Sequence, residues 1–337
     1  MENKIFKLDP LFELDFLKTQ IINNNNNQNI CISPVIFQSV NDIFYLIYVN
    51  CKNSIISYDI NNNEQICEIK GLDKNIQKII YYFDSVNKRD LIITISLNSL
   101  MILNILNLEI LSNIRINDSF CFLKYNNNNY ILIFNEKRKG KSVYINVFDF
   151  KGNKIKEINI SSMTPYIYTY FIEAYYDIKL NKYFFIFSSK KYLISYDYNT
   201  DKTFIKYKKG ISKIKQIIIY GDKITKLLGR IDKHNKILIW DFHSGNLLNT
   251  IEVLCEIRNI LLWNEKYFFV TSNNGNIQLS GILTKNFKTG GNSIRTITKI
   301  FHQKYGECLI SLNYSDNINE KMKIEIWASR KNINIKI

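Results

Sequence analysis

Four aspartates that follow apolar segments are the first candidates for chemistry. They are Asp59, Asp149, Asp197 and Asp241. Two carboxylates in one site can act as a general acid and a general base. Each of these residues, however, stands at the same place in a repeated segment, directly before a polar turn, where Asp accepts hydrogen bonds from the following backbone. The recurrence predicts a role in the fold rather than in one active site.

Cysteine and histidine could form a metal site or a nucleophilic pair. The cysteines are Cys31, Cys51, Cys67, Cys121, Cys255 and Cys308, and the histidines are His234, His243 and His302. No CxxC pair occurs, and the histidines are not at metal-ligand spacing from the cysteines, so we expect no metal. His234 and His243 are predicted turn residues. Cysteines within apolar segments are typical of buried free thiols, which favours an intracellular, cytoplasmic location.

Established catalytic motifs do not occur in the sequence, which has no GxSxG, GxGxxG, P-loop or HExxH segment. We therefore expect neither an enzyme nor a bound cofactor. The sequence also has no apolar stretch that would serve as a signal peptide or a membrane span.

Positive charge is the remaining chemical signal, because 45 Lys and Arg residues against 30 Asp and Glu residues give a net charge of +15. Two clusters could bind phosphate or an acidic partner. The clusters comprise Lys137, Arg138, Lys139 and Lys141, and Lys206, Lys208 and Lys209, with Lys213 and Lys215 beyond them. Because Lys and Asn are frequent along the whole chain, solvated loop charge is the preferred interpretation. We expect the two clusters at opposite ends of their sheets.

Composition indicates the elements that position these residues. The 337 residues include 22 Tyr and 21 Phe, whereas alanine occurs only at Ala174 and Ala328. Alanine favours helices, while aromatic and β-branched residues favour strands. The composition therefore predicts an all-β protein.

A repeat organises the strands. Residues 236–252 read as an apolar strand, then Trp240-Asp241, a turn with Gly245, and a second apolar strand. The same frame recurs at intervals of 40 to 48 residues, and two further apolar segments precede most copies. The residues at the Trp position are Tyr58, Leu103, Phe148, Tyr196, Trp240, Ser280 and Trp327. This pattern resembles the WD-repeat β-propeller family over about residues 30–337.

The resemblance implies an all-β, seven-bladed WD-repeat-type propeller with four antiparallel strands per blade. The expected domain spans residues 30–337, and residues 1–29 form an N-terminal segment with an Asn-rich spacer. The expected blades are 33–70, 74–115, 118–160, 165–208, 213–252, 256–291 and 293–337. Either residues 16–22 or residues 332–337 complete the last blade, and we favour the N-terminal segment. The expected blade signature is Tyr58, Asp59, Leu103, Phe148, Asp149, Tyr196, Asp197, Trp240, Asp241 and Trp327.

The repeats depart from the family in two respects. The Gly-His pair before the first strand is missing, and Lys52, Lys190, His234 and Asn274 occupy places where the family has Asp. We therefore expect packing, rather than the family's hydrogen-bond network, to hold the blades together. The sixth copy is the weakest.

The resemblance implies a non-catalytic scaffold that binds protein partners, either as a monomer or within a larger complex. The alternative is a basic propeller that binds RNA, DNA or an anionic membrane surface, as the net charge would allow. An enzyme built around a central channel has only the analogy of other propellers in its favour.

Overall fold

The computed structural model describes the strands and many of their connections. The described residues are 14–22, 34–50, 54–62, 64–70, 76–96, 99–105, 109–116, 120–125, 128–137, 142–160, 169–189, 193–207, 214–231, 235–253, 256–264, 267–272, 275–281, 285–288, 293–302, 306–314 and 322–329.

The described strands group into seven sheets. The first sheet contains β2 (Val35–Gln38), β3 (Phe44–Val49), β4 (Ile55–Asp59) and β5 (Glu64–Ile69). The second contains β6 (Lys78–Asp84), β7 (Arg89–Ile95), β8 (Ser99–Asn104) and β9 (Ile110–Arg115). The third contains β10 (Phe120–Tyr125), β11 (Asn128–Lys137), β12 (Ser142–Asp149) and β13 (Lys154–Asn159). The fourth contains β14 (Thr169–Asp177), β15 (Lys182–Ser189), β16 (Leu193–Asp197) and β17 (Lys202–Lys206).

The remaining sheets continue the same order. The fifth contains β18 (Ile214–Tyr220), β19 (Lys226–Ile231), β20 (Lys236–Asp241) and β21 (Leu247–Glu252). The sixth contains β22 (Ile257–Asn264), β23 (Tyr267–Ser272), β24 (Asn276–Gly281) and β25 (Lys285–Lys288). The seventh contains β26 (Ser293–His302), β27 (Gly306–Tyr314), β28 (Met322–Ser329) and β1 (Leu14–Ile22).

Each of the seven sheets in the described part of the chain has four antiparallel strands that follow one another in space. First strands of neighbouring sheets contact one another at β10 and β14, at β14 and β18, and at β22 and β26. Strand β2 contacts both β6 and β26, so the ring closes between the seventh and first sheets. This is a seven-bladed β-propeller arrangement, and the predicted fold class is confirmed. The sixth copy, the weakest in sequence, forms a four-stranded sheet.

Burial between the sheets explains why the ring closes. The buried apolar residues form seven clusters, and each cluster joins two neighbouring sheets. Leu46 of the first sheet and Leu312 of the seventh belong to one cluster, for example. A single sheet would leave both of its faces in water, whereas stacking in a ring covers every face with apolar side chains.

The large residues at the Trp position occupy equivalent places in these clusters. Each packs against the preceding sheet of the ring, as Tyr58, Leu103, Phe148, Tyr196, Trp240 and Trp327 do. Trp240 is completely buried, and its ring lies over Gly229, where an added Cβ would be 2.8 Å from Cζ3 of Trp240. In the sixth sheet, the small Ser280 is buried at this position.

The N-terminal strand is the outermost strand of the seventh sheet. Strand β1 pairs antiparallel with β28, with Phe16 opposite Trp327 and Gln20 opposite Ile324. The competing segment, residues 332–337, lies outside the described residues. Because β1 comes from the beginning of the chain and β28 from near its end, their pairing ties the two ends of the ring together.

The strand order defines two faces of the propeller. Turns from first to second strand and from third to fourth strand share one end of the sheets, which we call the turn face. The other connections share the opposite face. Lys137 ends β11 and Lys206 ends β17, so both strands end at the opposite face. The strand ends that precede the two basic clusters therefore share one face, contrary to the expectation of opposite ends, because antiparallel strands bring these two ends together.

Candidate docking surface

The four signature aspartates organise the turns between third and fourth strands. Asp59 Oδ1 accepts hydrogen bonds from the backbone N–H groups of Asn61 (2.7 Å) and Asn62 (3.2 Å), and Oδ2 accepts one from Asn62 Nδ2 (2.8 Å). Asp149, Asp197 and Asp241 accept backbone N–H groups in the same way. These carboxylates lie in separate blades, and the structure does not bring them into one site.

Hydrogen bonding keeps several of these carboxyls ionised. Burial alone would raise the pKa of Asp149, Asp197 and Asp241. Hydrogen bonds to the carboxylates outweigh burial and hold each pKa below its ordinary value, for example the side-chain bond from Lys182 to Asp197. A charged carboxylate that accepts several N–H groups is stabilised relative to its protonated form.

A second set of aspartates, which sequence reasoning missed, lies in the turns between first and second strands. Asp84 is completely buried and accepts hydrogen bonds from Asn87 Nδ2 (2.7 Å), Arg89 Nε (3.0 Å) and, from the third sheet, Asn129 Nδ2 (2.5 Å). Burial raises the pKa of Asp84, but the bonds from Asn87 and Arg89 together hold it below the ordinary value. Tyr82 completes the link with a hydrogen bond to Asn129 Oδ1 (3.0 Å).

Asp177 makes the corresponding link between the fourth and fifth sheets. It is 1% exposed, accepts the N–H groups of Lys179 (2.9 Å) and Leu180 (3.0 Å), and lies 2.6 Å from His243 Nε2. His243 lies in the turn after β20, as predicted, and also connects two blades, which was not predicted. Its partner is 66 residues away in sequence, so no local pattern announced the contact.

Exposed apolar side chains mark the turn face. Among the described residues, the large apolar side chains that are exposed all lie in its turns or in the three strand residues next to them. These residues are Val40, Ile66, Phe83, Val86, Ile110, Ile155, Tyr176, Ile178, Leu180, Ile224, Leu248 and Phe301. Exposed apolar side chains gathered on one face are typical of an interaction surface.

These residues form two sets. The inner ring belongs to the turns between first and second strands, near the axis, and comprises Val40, Phe83, Val86, Tyr176, Ile178, Leu180, Ile224 and Phe301. The outer group belongs to the fourth strands and comprises Ile66, Ile110, Ile155 and Leu248.

Charges differ between the two sets. The inner ring is accompanied by the exposed lysines Lys88, Lys124, Lys179 and Lys223 and by the exposed carboxylates Asp42, Asp222 and Glu307. Asp84, Asp90 and Asp177 of the same region are buried. The outer group lies among charges of both signs, with the exposed Glu64, Glu109 and Glu157 and the half-buried Glu68 on one side, and the exposed Lys151, Lys154 and Lys156 around Ile155 on the other. The accessible charge is therefore mainly positive at the tips of the second, fourth and fifth sheets, whereas it is mixed beside the outer group.

The first strands carry a further ionisable group on the inner wall of the propeller. Burial raises the pKa of Glu173, in β14, to about 7, although the N–H of Ala174 and the charge of Lys78 act to lower it. Partial desolvation inside the ring of first strands lowers the pKa of Lys78 in β6, although its side chain is exposed, and the negative charge of Glu173 acts to raise it. Lys78 also lines a cavity of about 700 Å³ between β2, β6 and β26, whose wall includes Gln38, Thr296 and Phe301.

The predicted anion-binding residues are only partly placed. Lys206 is exposed at the end of β17, and the backbone of Lys137 ends β11. Arg138, Lys139, Lys141, Lys208 and Lys209 lie outside the described residues, as does His234. Among the cysteines, Cys121 and Cys308 are buried free thiols, and burial raises the pKa of Cys308 to about 11.

Comparisons with known proteins assign no family. No protein-family model matches the chain, and no curated protein matches it. Within the described residues, no helix is long and apolar enough to cross a membrane.

Proposed function

We propose that this chain is a non-catalytic interaction scaffold of the WD-repeat type, acting in the cytoplasm and binding protein partners on its turn face. The observation that carries the proposal is the position of the exposed apolar side chains, which gather on one face of the described structure. Such side chains gain free energy when a partner removes them from water.

Three features support the WD-repeat type. A large residue packs against the preceding sheet in six blades, an aspartate organises the following turn in four, and the N-terminal strand completes the last blade. Together these features support the assignment to the WD-repeat type.

Protein partners are best accommodated by the outer group. Ile110 and Leu248 lie at the start of fourth strands, on the outside of their sheets, and Ile110 has the exposed Glu109 beside it. In a protein interface, apolar side chains form the core and charged side chains form the rim, and the outer group has both. A rigid ring that repeats this arrangement on several blades can hold more than one partner.

Affinity capture from the native organism tests the proposal. The full-length protein is compared with Ile110→Asp/Leu248→Asp and with the control Lys206→Asp/Lys215→Asp, which alters exposed residues at the opposite face. We expect defined proteins with the wild type and the control and their loss with the outer-group variant. If the outer-group variant captured the same proteins as the wild type, the turn face would not be the docking surface.

A further inference from the structure

Besides Val40 and Phe301 of the first and seventh sheets, the inner ring contains two patches of exposed apolar side chains at the tips of turns. One patch, on the second sheet, consists of Phe83 and Val86. The other spans the fourth and fifth sheets and consists of Tyr176, Ile178, Leu180 and Ile224, of which Ile178 is 81% exposed and Ile224 is 54% exposed. The third sheet separates the patches, so a partner that covers both must extend over four blades.

Hydrogen bonds fix these tips before any partner arrives. Buried Asp177 accepts the N–H groups of Lys179 and Leu180, and Lys179 Nζ donates to the carbonyl of Lys223 (2.8 Å) across the two sheets. In the second sheet, Asp84 accepts the N–H groups of Val86 (3.2 Å) and Asn87 (3.1 Å). Binding therefore costs little further ordering of the backbone at these positions.

The accessible charge beside both patches is mainly positive. Lys88 and Lys124 accompany the second-sheet patch, and Lys179, Lys223 and the half-buried Lys226 accompany the other. The aspartates of these same turns are buried and already have hydrogen-bond partners. Asp84 accepts a hydrogen bond from Arg89, and Asp177 lies within hydrogen-bond distance of His243.

Few exposed carboxylates lie in the turns of the inner ring, and most of them are outside the two apolar patches. Asp222 is exposed in the turn of the fifth sheet. Asp42 of the first sheet accepts a hydrogen bond from Gln38, and Glu307 of the seventh sheet pairs with Lys299. Because Asp84 and Asp177, the aspartates of these turns in the second and fourth sheets, are buried, lysines supply most of the accessible charge beside the apolar tips.

We propose that the inner ring rests on a lipid bilayer that contains anionic lipids. Ile178 and Ile224 enter the boundary between headgroups and acyl chains, while the neighbouring lysines contact the lipid phosphates and carboxylates. Apolar insertion and attraction of lysines to anionic lipid act together in interfacial binding. A planar bilayer meets both patches at once, whereas one peptide segment would follow a line across a few turns.

The inference goes beyond the proposed scaffold function, because it assigns a different partner to a different part of the turn face. The outer group, with charges of both signs around it, stays available to proteins. A scaffold bound in this way would present its protein partners at a membrane surface.

Vesicle co-sedimentation of the full-length protein tests the proposal. The vesicles consist either of phosphatidylcholine alone or of phosphatidylcholine with phosphatidylserine. We expect binding to the mixed vesicles that weakens when the salt is raised well above about 0.1 M, where screening shortens the reach of the lysine charges. The variant Ile178→Asp/Ile224→Asp should bind at least tenfold more weakly.

A matched control is available in the outer group. Ile155→Asp/Leu248→Asp changes two residues on the same face that are 56% and 50% exposed, and it should bind the mixed vesicles like the wild type. All four substitutions are at exposed positions, and unchanged thermal unfolding of both variants would exclude misfolding as the cause.

Two outcomes would overturn the proposal. One is no binding to the mixed vesicles, and the other is equal binding by the wild type and the inner-ring variant. If protein capture were lost with the inner-ring variant while no vesicle bound, the inner ring would be a protein site instead. If the protein bound the mixed vesicles but captured no protein partner, the scaffold function would be contradicted and the membrane proposal would stand.

Discussion

The ionisation of Glu173 makes the stability of the propeller depend on pH in a defined direction. Burial raises the pKa of this carboxyl to about 7 from an ordinary value of 4.5. The folded state therefore holds the proton through a pH range in which the unfolded chain has already lost it. Between these two values, a rise in pH draws the protein towards the unfolded state, so Glu173 lowers stability as the solution becomes less acidic.

The substitution Glu173→Gln removes the titration and keeps the shape of the side chain. With the two pKa values above, the penalty from Glu173 is about 1 kcal/mol near pH 5 and about 3 kcal/mol near pH 8. Relative to the wild type, the variant should therefore gain roughly 2.5 kcal/mol more free energy of unfolding at about pH 8 than at about pH 5. Above about pH 8 the difference should stay constant, because both states are then ionised.

Chemical denaturation at the two pH values measures this difference. The matched control is Glu109→Gln, which alters an exposed carboxyl in the turn before β9 and should show no comparable dependence. Equal stabilisation by Glu173→Gln at both pH values would refute the reasoning, because it would show that the carboxyl of Glu173 has an ordinary pKa in the folded protein.

Further predictions concern the packing and the links between blades. Trp240→Ala should lower the free energy of unfolding, measured by urea denaturation, by about 3–5 kcal/mol, because it empties a fully buried site between the fourth and fifth sheets. A loss below about 1 kcal/mol would argue against that burial. Deletion of residues 1–22 should sharply lower the Tm by removing the partner of β28, and an unchanged Tm would show that β1 does not complete the ring. Asn129→Ala should lower the free energy of unfolding by about 1–3 kcal/mol, because it removes a hydrogen bond to the buried Asp84. The control Asn128→Ala, at the neighbouring exposed position, should lower it less. The free energy of unfolding should also fall as the pH drops below about 4, where carboxylates with lowered pKa values such as Asp84 take up protons. Denaturant unfolding of the wild type and Asp84→Asn across that pH range should show a smaller fall in the variant.

Much of the fold could be predicted because the repeat recurs in the primary sequence. Each blade contributes apolar strands and a large residue at the Trp position, and these determine burial locally. The sixth blade shows the limit, since Ser280 replaces the large residue and yet the sheet forms. Its strands are enclosed by apolar clusters on both sides, so the neighbouring blades supply what the local signature lacks.

The links between blades could not be predicted in the same way. Asp177 and His243 look like two unrelated turn residues in sequence, because the contact exists only after two sheets stack. Asp84 and Asn129 are likewise 45 residues apart. The prediction that packing would replace the family's hydrogen-bond network did not anticipate these buried polar contacts, which join the turns of neighbouring blades.

The docking surface was also hidden in the sequence. Ile178 belongs to a run of apolar and aromatic residues, and its composition does not distinguish it from the buried residues of the strands. Its exposure follows from the end of β14 at Asp177, which places Ile178 in a turn. The positive charge, in contrast, was visible at once, and the strand directions determined which strand ends share a face.

Site-specific photo-crosslinking in the native organism tests the central claim most directly, namely that partners dock on the turn face. A photoreactive residue replaces either Ile110, in the outer group, or Lys206, at the opposite face. We expect the probe at position 110 to form crosslinks to a defined protein and the probe at position 206 to form none. Crosslinks from position 206 together with none from position 110 would contradict the account.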